Sequence, residues 1–248
     1  MLDLLDAGLP APVRGVFTTR AGGVSLPPYD GLNLALHTGD EWDRVHANRD
    51  LAARALGMTY RDLVTCQQVH GVRVRLVEGP NRQAWDRGLP GTDALVTRRR
   101  GVALAIMGAD CLPVLLADPD ASVVGAAHVG RAGLVGGVLH ETLRVMTEQG
   151  AEPTRTRATL GPGACGRCYE VPEKMADDVE RLAPGSRSTT SWGTPALDLT
   201  AGARAQLLAA GLTDVSVVGG CTIEQPECFF SYRRDGLTGR HGGLVWLP

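Results

Sequence analysis

The stretch GADCLPVLLADPDASVVGAAHVGRAG, Gly108–Gly133, is apolar and rich in glycine, yet it carries one cysteine and one histidine, each where an apolar segment stops. Two runs of strand length lie inside it, Val114–Ala117 and Val123–Ala127, built from Val, Leu and Ala. Two similar runs precede them, Asp93–Thr97 and Val102–Met107. Working outward, Val13–Thr19 (VRGVFTT), Leu63–Val69, Val72–Val77, Thr156–Leu160, Val215–Val218 and Leu244–Leu247 also read as strands, the second and third of these joined at His70-Gly71. Helical spacing marks Asp43–Leu56, with Asp43 as N-cap, and Leu134–Thr147, closed by Gly150. Pro172–Leu182 and Thr200–Ala210 are two more helices, the second closed by Gly211. Strand candidates crowd the first half as consecutive runs, which disfavours a regular βαβ array. The expected fold class is α+β, a single layered domain with mixed β-sheets flanked by helices, spanning residues 1–248.

The 248 residues are 44% hydrophobic and 21% charged, enough to bury a core and too apolar for a disordered chain. A formal net charge of −2 argues against a general nucleic-acid or membrane-surface binder. Of the 25 basic residues only Lys174 is a lysine, a bias that matters locally because a guanidinium fork suits phosphate and carboxylate. The opening MLDLLDAGLPAPVRG has neither a basic start nor a long apolar stretch, and no run approaches the ~20 apolar residues of a membrane span. A cytoplasmic protein is expected, in which six cysteines are free thiols or metal ligands.

Cys111 follows the apolar run VALAIMGAD, His128 ends SVVGAA, and His70 ends LVTCQQV. Ends of strands are where a rigid frame projects side chains into loops. Two imidazoles and one thiolate make a catalytic zinc set, three ligands with a fourth position left for water, whose pKa such a site lowers towards ~7. The same residues also suit a Cys/His dyad with Cys111 as nucleophile and His70 or His128 as base. Spacing alone leaves both open, beside the plainer reading of a buried thiol and a capping histidine.

The chain resembles the laccase-domain, or YfiH-like, family over nearly its whole length. The resemblance rests on FTTRAGGVS and PYDGLNLALHTGD (Phe17–Asp40), Asn48-Arg49, QVHG (Gln68–Gly71), TDALVT (Thr92–Thr97) and ADCLPVLLAD (Ala109–Asp118). It continues through AAHVGRAG (Ala126–Gly133), GPGACGRCYEV (Gly161–Val171), Cys221-Thr222 and FFSYRRDGLTGRHGGLVWL (Phe229–Leu247). The family carries an old label of multicopper polyphenol oxidase and a later understanding as zinc-dependent purine nucleoside phosphorylases. The resemblance therefore implies zinc on His70, Cys111 and His128. It also implies phosphorolysis of adenosine, inosine, guanosine or methylthioadenosine to the free base and ribose 1-phosphate, with adenosine deaminase activity besides. A multicopper centre needs roughly ten histidines, several as His-x-His pairs. This chain has six histidines and no such pair. Copper can still take the place of zinc in an N/S site by intrinsic affinity.

Phosphorolysis needs an anion site beside the ribose, and positioning with electrostatics carries the catalysis. HVGRAGLVGG offers glycines, a helix start and Arg131. Arg20, Arg49, Arg233 and Arg234 are further anion candidates, with Arg49 and Arg131 foremost. Asp110, beside Cys111, is placed to orient a ligand or to act as acid or base. Asn33, His37 and Asp40 are candidates to line the pocket. Cys165-Gly-Arg-Cys168 reads mainly as structural thiols; a four-cysteine zinc site with Cys221 and Cys228, or a disulfide, is the alternative. Small-molecule nucleoside and phosphate are the expected partners, with the chain a monomer or homodimer. Two other functions compete: a hydrolase editing peptidoglycan precursors with the same trio, and a metal-holding or interaction protein without catalysis.

Overall fold

The computed structural model describes residues 2–80 and 87–248. One sheet has five strands in the order β1-β2-β13-β6-β3: Leu4–Asp6, Arg14–Thr18, His241–Trp246, Ala103–Gly108 and Leu63–Val64. The other has six, in the order β12-β9-β7-β8-β5-β4: Asp214–Val217, Arg157–Leu160, Leu112–Asp118, Val123–Val129, Ala94–Thr97 and Val74–Val77. Both are mixed. In the five-stranded sheet β3 runs parallel to β6 while the other pairs are antiparallel. In the six-stranded sheet the two outer pairs are parallel and the pairs within are antiparallel. A short ribbon, β10 (Arg187–Thr189) with β11 (Pro195–Leu197), stands apart.

The strands at the centre are buried on both faces, and their side chains alternate between two cores. Leu112, Val114 and Leu116 of β7 face a helical layer. Leu115 and Ala117, their neighbours, face the five-stranded sheet together with Val124 and Ala126 of β8. Phe17, Leu104, Ile106 and Val245 meet them from the other side. The five-stranded sheet buries its outer face, including Ala103, Ala105 and Leu244, against Ala53 of α1 (Trp42–Ala55). The helical layer comprises α2 (Arg131–Gly136), α3 (Val138–Glu148), α4 (Glu173–Leu182) and α5 (Leu199–Ala209). A last short helix, α6, is Tyr232–Asp235. The result is an α+β fold of four layers, helix, sheet, sheet and helices.

Four expectations are corrected. The helix expected over Leu134–Thr147 is two helices, broken at Gly137, whose φ of 88° is a conformation that suits glycine. Asp43 is not the cap of α1, because the helix begins one residue earlier, after Glu41. The strand expected over Leu63–Val69 stops at Val64; beyond it only Cys66 pairs, in an isolated parallel bridge with Leu89, and the rest of Thr65–Gly71 is loop. His128 lies within β8 rather than beyond its end, and Cys111 precedes β7 as much as it follows β6.

Candidate active site

Cys111 sits on the short crossing from β6 to β7, one strand from each sheet. His128 comes from β8 beside it, and Pro113 and His128 are cross-strand partners. His70 arrives on the loop before β4, with Sγ of Cys111 3.6 Å from its Nε2. The ligating atoms of His70, Cys111 and His128 all lie within 4.8 Å of one another. The two imidazole rings meet edge-on, with centroids 4.7 Å apart.

Asp93, fully buried at the start of β5, holds this arrangement. Its carboxylate lies 2.9 Å from His128 Nδ1, which leaves Nε2 of that ring for the centre of the trio. The same carboxylate accepts the amides of Val69, His70 and Gly71, at 3.1, 2.9 and 2.8 Å. Three amides turned to one carboxylate require a tight backbone, and His70 has a left-handed φ of 60°. Gln68 fixes the loop from the other side: its Nε2 donates to the Met107 carbonyl at 2.6 Å, and its Oε1 accepts the Met107 amide at 2.9 Å. One buried carboxylate thus orients two of the three residues of the trio. In the sequence Asp93 opens an apolar run and lies within the TDALVT motif, and neither gives it a role at the site.

Burial alone would raise the Cys111 thiol, and the hydrogen bonds from His128 and His70 outweigh it, bringing the thiol down to about 6. Burial would likewise discharge His128, but Asp93 and Cys111 together raise it. The site therefore favours a thiolate, the form that binds metal. A soft sulfur and two imidazoles within one coordination sphere, with a carboxylate behind one of them, fit a zinc ion.

The trio forms one wall of a cleft of about 880 Å³. Arg131, Arg233 and Arg240 line it, with His37, Tyr169 and Tyr232. Among the described residues none of these three guanidiniums is ion-paired with a carboxylate, whereas Arg20, Arg155, Arg187 and Arg234 all are. Arg233 lies over the Tyr169 ring, 4.5 Å from its centroid, and donates to the Glu170 carbonyl at 2.7 Å. Burial raises the Tyr169 hydroxyl above its ordinary value, and the charges of Arg233 and Arg131 oppose that rise. His37 is held below its ordinary value by burial and then by the Arg240 charge, so it is neutral at pH 7.

The other expected site residues are placed differently. Asp110 lines the cleft, but Thr222 and Ser231 donate to its Oδ1 at 2.7 Å each, and the Arg233 amide donates to its Oδ2 at 2.7 Å. It fastens the start of α6 to the loop that carries Cys111, and its oxygens are committed. Arg49 is buried on α1 behind the cleft wall, donating to the Leu34 carbonyl at 2.8 Å. Arg20 pairs with Asp30 at 2.9 Å and lies over the Phe230 ring. Asn33, with no exposure, binds Thr38, Asp40 and the Arg240 amide, so it positions the arginine that reaches the cleft. Arg240 and the two tyrosines escaped sequence reading because nothing in their local pattern sets them apart.

Residues 14–248 match the family model for the multi-copper polyphenol oxidoreductase laccase. A purine nucleoside phosphorylase of Streptomyces griseus is 53% identical, across 96% of this chain and 97% of its own length. One from Deinococcus radiodurans is 45% identical, across 95% and 90%. The crystal structure of YlmD from Geobacillus stearothermophilus superposes with a TM-score of 0.89 at 35% identity, covering 97% of this chain and 94% of that one. The YfiH protein of Bacillus licheniformis superposes equally, at 34% identity, over 95% and 93%.

Proposed function

The chain belongs to the multi-copper polyphenol oxidoreductase laccase family, and from that membership we propose that it is a zinc-dependent purine nucleoside phosphorylase. Adenosine, inosine, guanosine and methylthioadenosine are its proposed substrates, with deamination of adenosine as a second activity. One observation carries the reading: Arg131, Arg233 and Arg240, none of them ion-paired with a carboxylate among the described residues, line the same cleft as His70, Cys111 and His128. An unpaired guanidinium facing a cavity is poised for an anion from solution, and phosphate matches its fork. The purine nucleoside phosphorylases of Streptomyces griseus and Deinococcus radiodurans share nearly the full length of the chain.

His70, Cys111 and His128 would hold the zinc, which when bound supplies a Lewis acid at one wall of the cleft. The guanidiniums bind phosphate and set one of its oxygens against C1′ of the ribose. The new C1′–O bond forms as the C1′–N9 bond breaks, and the electron pair leaves with the purine, which takes up a proton. His37, kept neutral, has one N–H to donate and one nitrogen to accept with at the departing base. Tyr169 and Tyr232 line the cleft where the purine would lie, each with a guanidinium over its ring, and Asp110 keeps α6, with Arg233, closed against the site. A cytoplasmic setting suits six cysteines that are all unpaired. The trio has the donors for one ion, which does not make a multicopper centre in the cleft. Neither peptidoglycan hydrolysis nor a purely metal-holding role has an observation that favours it.

The test is phosphate-dependent release of free base. Metal-replete protein is expected to convert inosine to hypoxanthine only with phosphate present, and adenosine to inosine without it. No base released from either nucleoside with phosphate present would overturn the proposal.

A further inference from the structure

A second cluster of ligating side chains lies apart from the trio. Cys165, Cys168, Cys221 and Glu224 bring three sulfurs and a carboxylate oxygen within 4.8 Å of one another. They come from two turns of one kind, Cys-x-x-Cys after β9 and Cys-x-x-Glu after β12. In the first, the amides of Cys168 and Tyr169 both donate to the Cys165 carbonyl at 3.0 Å. In the second, the Gln225 amide donates to the Cys221 carbonyl at 3.1 Å. A parallel bridge between Gly163 and Cys221 ties the turns together, with the Thr222 amide on the Gly163 carbonyl at 3.1 Å.

The turns aim their donors inward. Sγ of Cys221 accepts the Cys165 amide at 3.5 Å. Sγ of Cys168 stands 3.4 Å from Glu224 Oε1. Backbone amides on sulfur are an outer shell of the sort that orients metal thiolates. A tetrahedral zinc with Zn–S bonds of ~2.3 Å keeps its ligand atoms roughly 3.5–4 Å apart, a small contraction of what is present. A disulfide would use two of the sulfurs and leave the third, and the carboxylate beside it, without a reason. Cys228, the fourth ligand suggested by sequence, lies elsewhere, against Glu227 at 3.6 Å. Glu224 takes that place.

We propose that Cys165, Cys168, Cys221 and Glu224 hold a structural zinc ion. Four protein ligands close the sphere, in contrast to the three of the cleft. Three thiolates and a carboxylate leave the bound ion with excess negative charge, and Arg167, 3.3 Å from Glu224 Oε2, offsets part of it. The ion rivets the two loops that form one side of the cleft. Cys168 precedes Tyr169, and Cys221 precedes Thr222, which donates to Asp110.

The experiment uses the full chain with the cleft trio disabled, His70→Ala/Cys111→Ala, and measures zinc per chain after exhaustive gel filtration. This protein is expected to retain one zinc, and to lose it when Cys168→Ser is added. Glu224→Gln, at an exposed position, is expected to release that zinc roughly tenfold faster to a chelator while circular dichroism stays unchanged. A trio variant that holds no zinc, retention of the zinc after Cys168→Ser, or an intact mass revealing a disulfide among these cysteines in protein purified without oxygen would overturn the proposal. None of these readouts depends on phosphorylase activity.

Discussion

Asp93 concentrates more of the site's organisation than any ligating residue does. Replacing it by Asn keeps an acceptor for some of the amides but removes the charge opposite His128 Nδ1. Asp93→Asn is therefore expected to fold, and to weaken zinc retention by about 10–100-fold, as read by chelator competition. Unchanged affinity would mean that the carboxylate serves only the loop. A second buried group, His241 at the start of β13, acts on stability instead. It has no exposure and packs 5.4 Å from the Phe229 ring. Burial lowers its pKa, the Pro162 backbone offsets this only partly, and the Arg240 charge adds to it, giving about 4. The unfolded chain protonates this imidazole near its ordinary 6.5. The stability it secures is thus complete above 6.5 and is lost as pH falls from there towards 4, on the order of 3 kcal/mol in all. Denaturant midpoints of the protein and of His241→Asn are expected to converge across that window; parallel curves would show that the ring is not held neutral.

At the scale of elements, the approach of β8 to α2 decides whether the trio can close. Gly130 caps α2 with an ordinary φ of −88°, so its backbone is not what demands glycine. A Cβ there would stand 2.7 Å from His70 Cδ2 and 2.9 Å from Cys111 Sγ. Gly130→Ala is expected to leave melting of the apo-protein within about 1 kcal/mol of the original, because the His70 side chain can swing outward, while zinc stoichiometry at the trio collapses. Full occupancy in Gly130→Ala would show the loop to be looser than its three amide bonds imply. This junction also marks how far the sequence could be read. Val114–Ala117 and Val123–Ala127 were legible as strands because residues buried on both faces form unbroken apolar runs. The break at Gly137 was not, since the apolar spacing continues across it. The loop Thr65–Gly71 reads as a strand from its composition, but past the single bridge at Cys66 its amides turn to the Asp93 carboxylate instead of a neighbouring strand. His70, Cys111 and His128 stood at segment ends, and this drew them out. Arg131 was legible from its Gly-rich setting, whereas Arg240, Tyr169 and Tyr232 reach the cleft only through chain crossings that no local pattern records.

At the scale of the whole molecule, two sheets packed face to face set the distance between the strands that meet at the site, β6 with β13 on one side and β7 with β8 on the other. That spacing is fixed from both directions. Leu115, fully buried, fills the space between the sheets beside Phe17, Leu104 and Val124. At Gly243 the sheets come so close that a Cβ would stand 2.9 Å from Pro113 Cβ and 3.0 Å from Phe17 Cε1, neither on a flexible side chain. Leu115→Ala leaves a void that two hydrogen-bonded sheets cannot collapse to fill, so a loss of about 2–5 kcal/mol is expected. Gly243→Ala forces the sheets apart and is expected to cost about 1–3 kcal/mol. The two should differ in their effect on the cleft. The void leaves the facing backbones where they are, so zinc affinity at the trio should hold in Leu115→Ala. The wedge sits two residues from His241 and against the residue that follows Leu112, so it should shift β13 relative to β7 and weaken zinc binding in Gly243→Ala. Chemical denaturation with chelator competition on both variants measures the two effects separately. If zinc affinity followed stability alone, falling most in Leu115→Ala, the sheets would not be setting the geometry of the site.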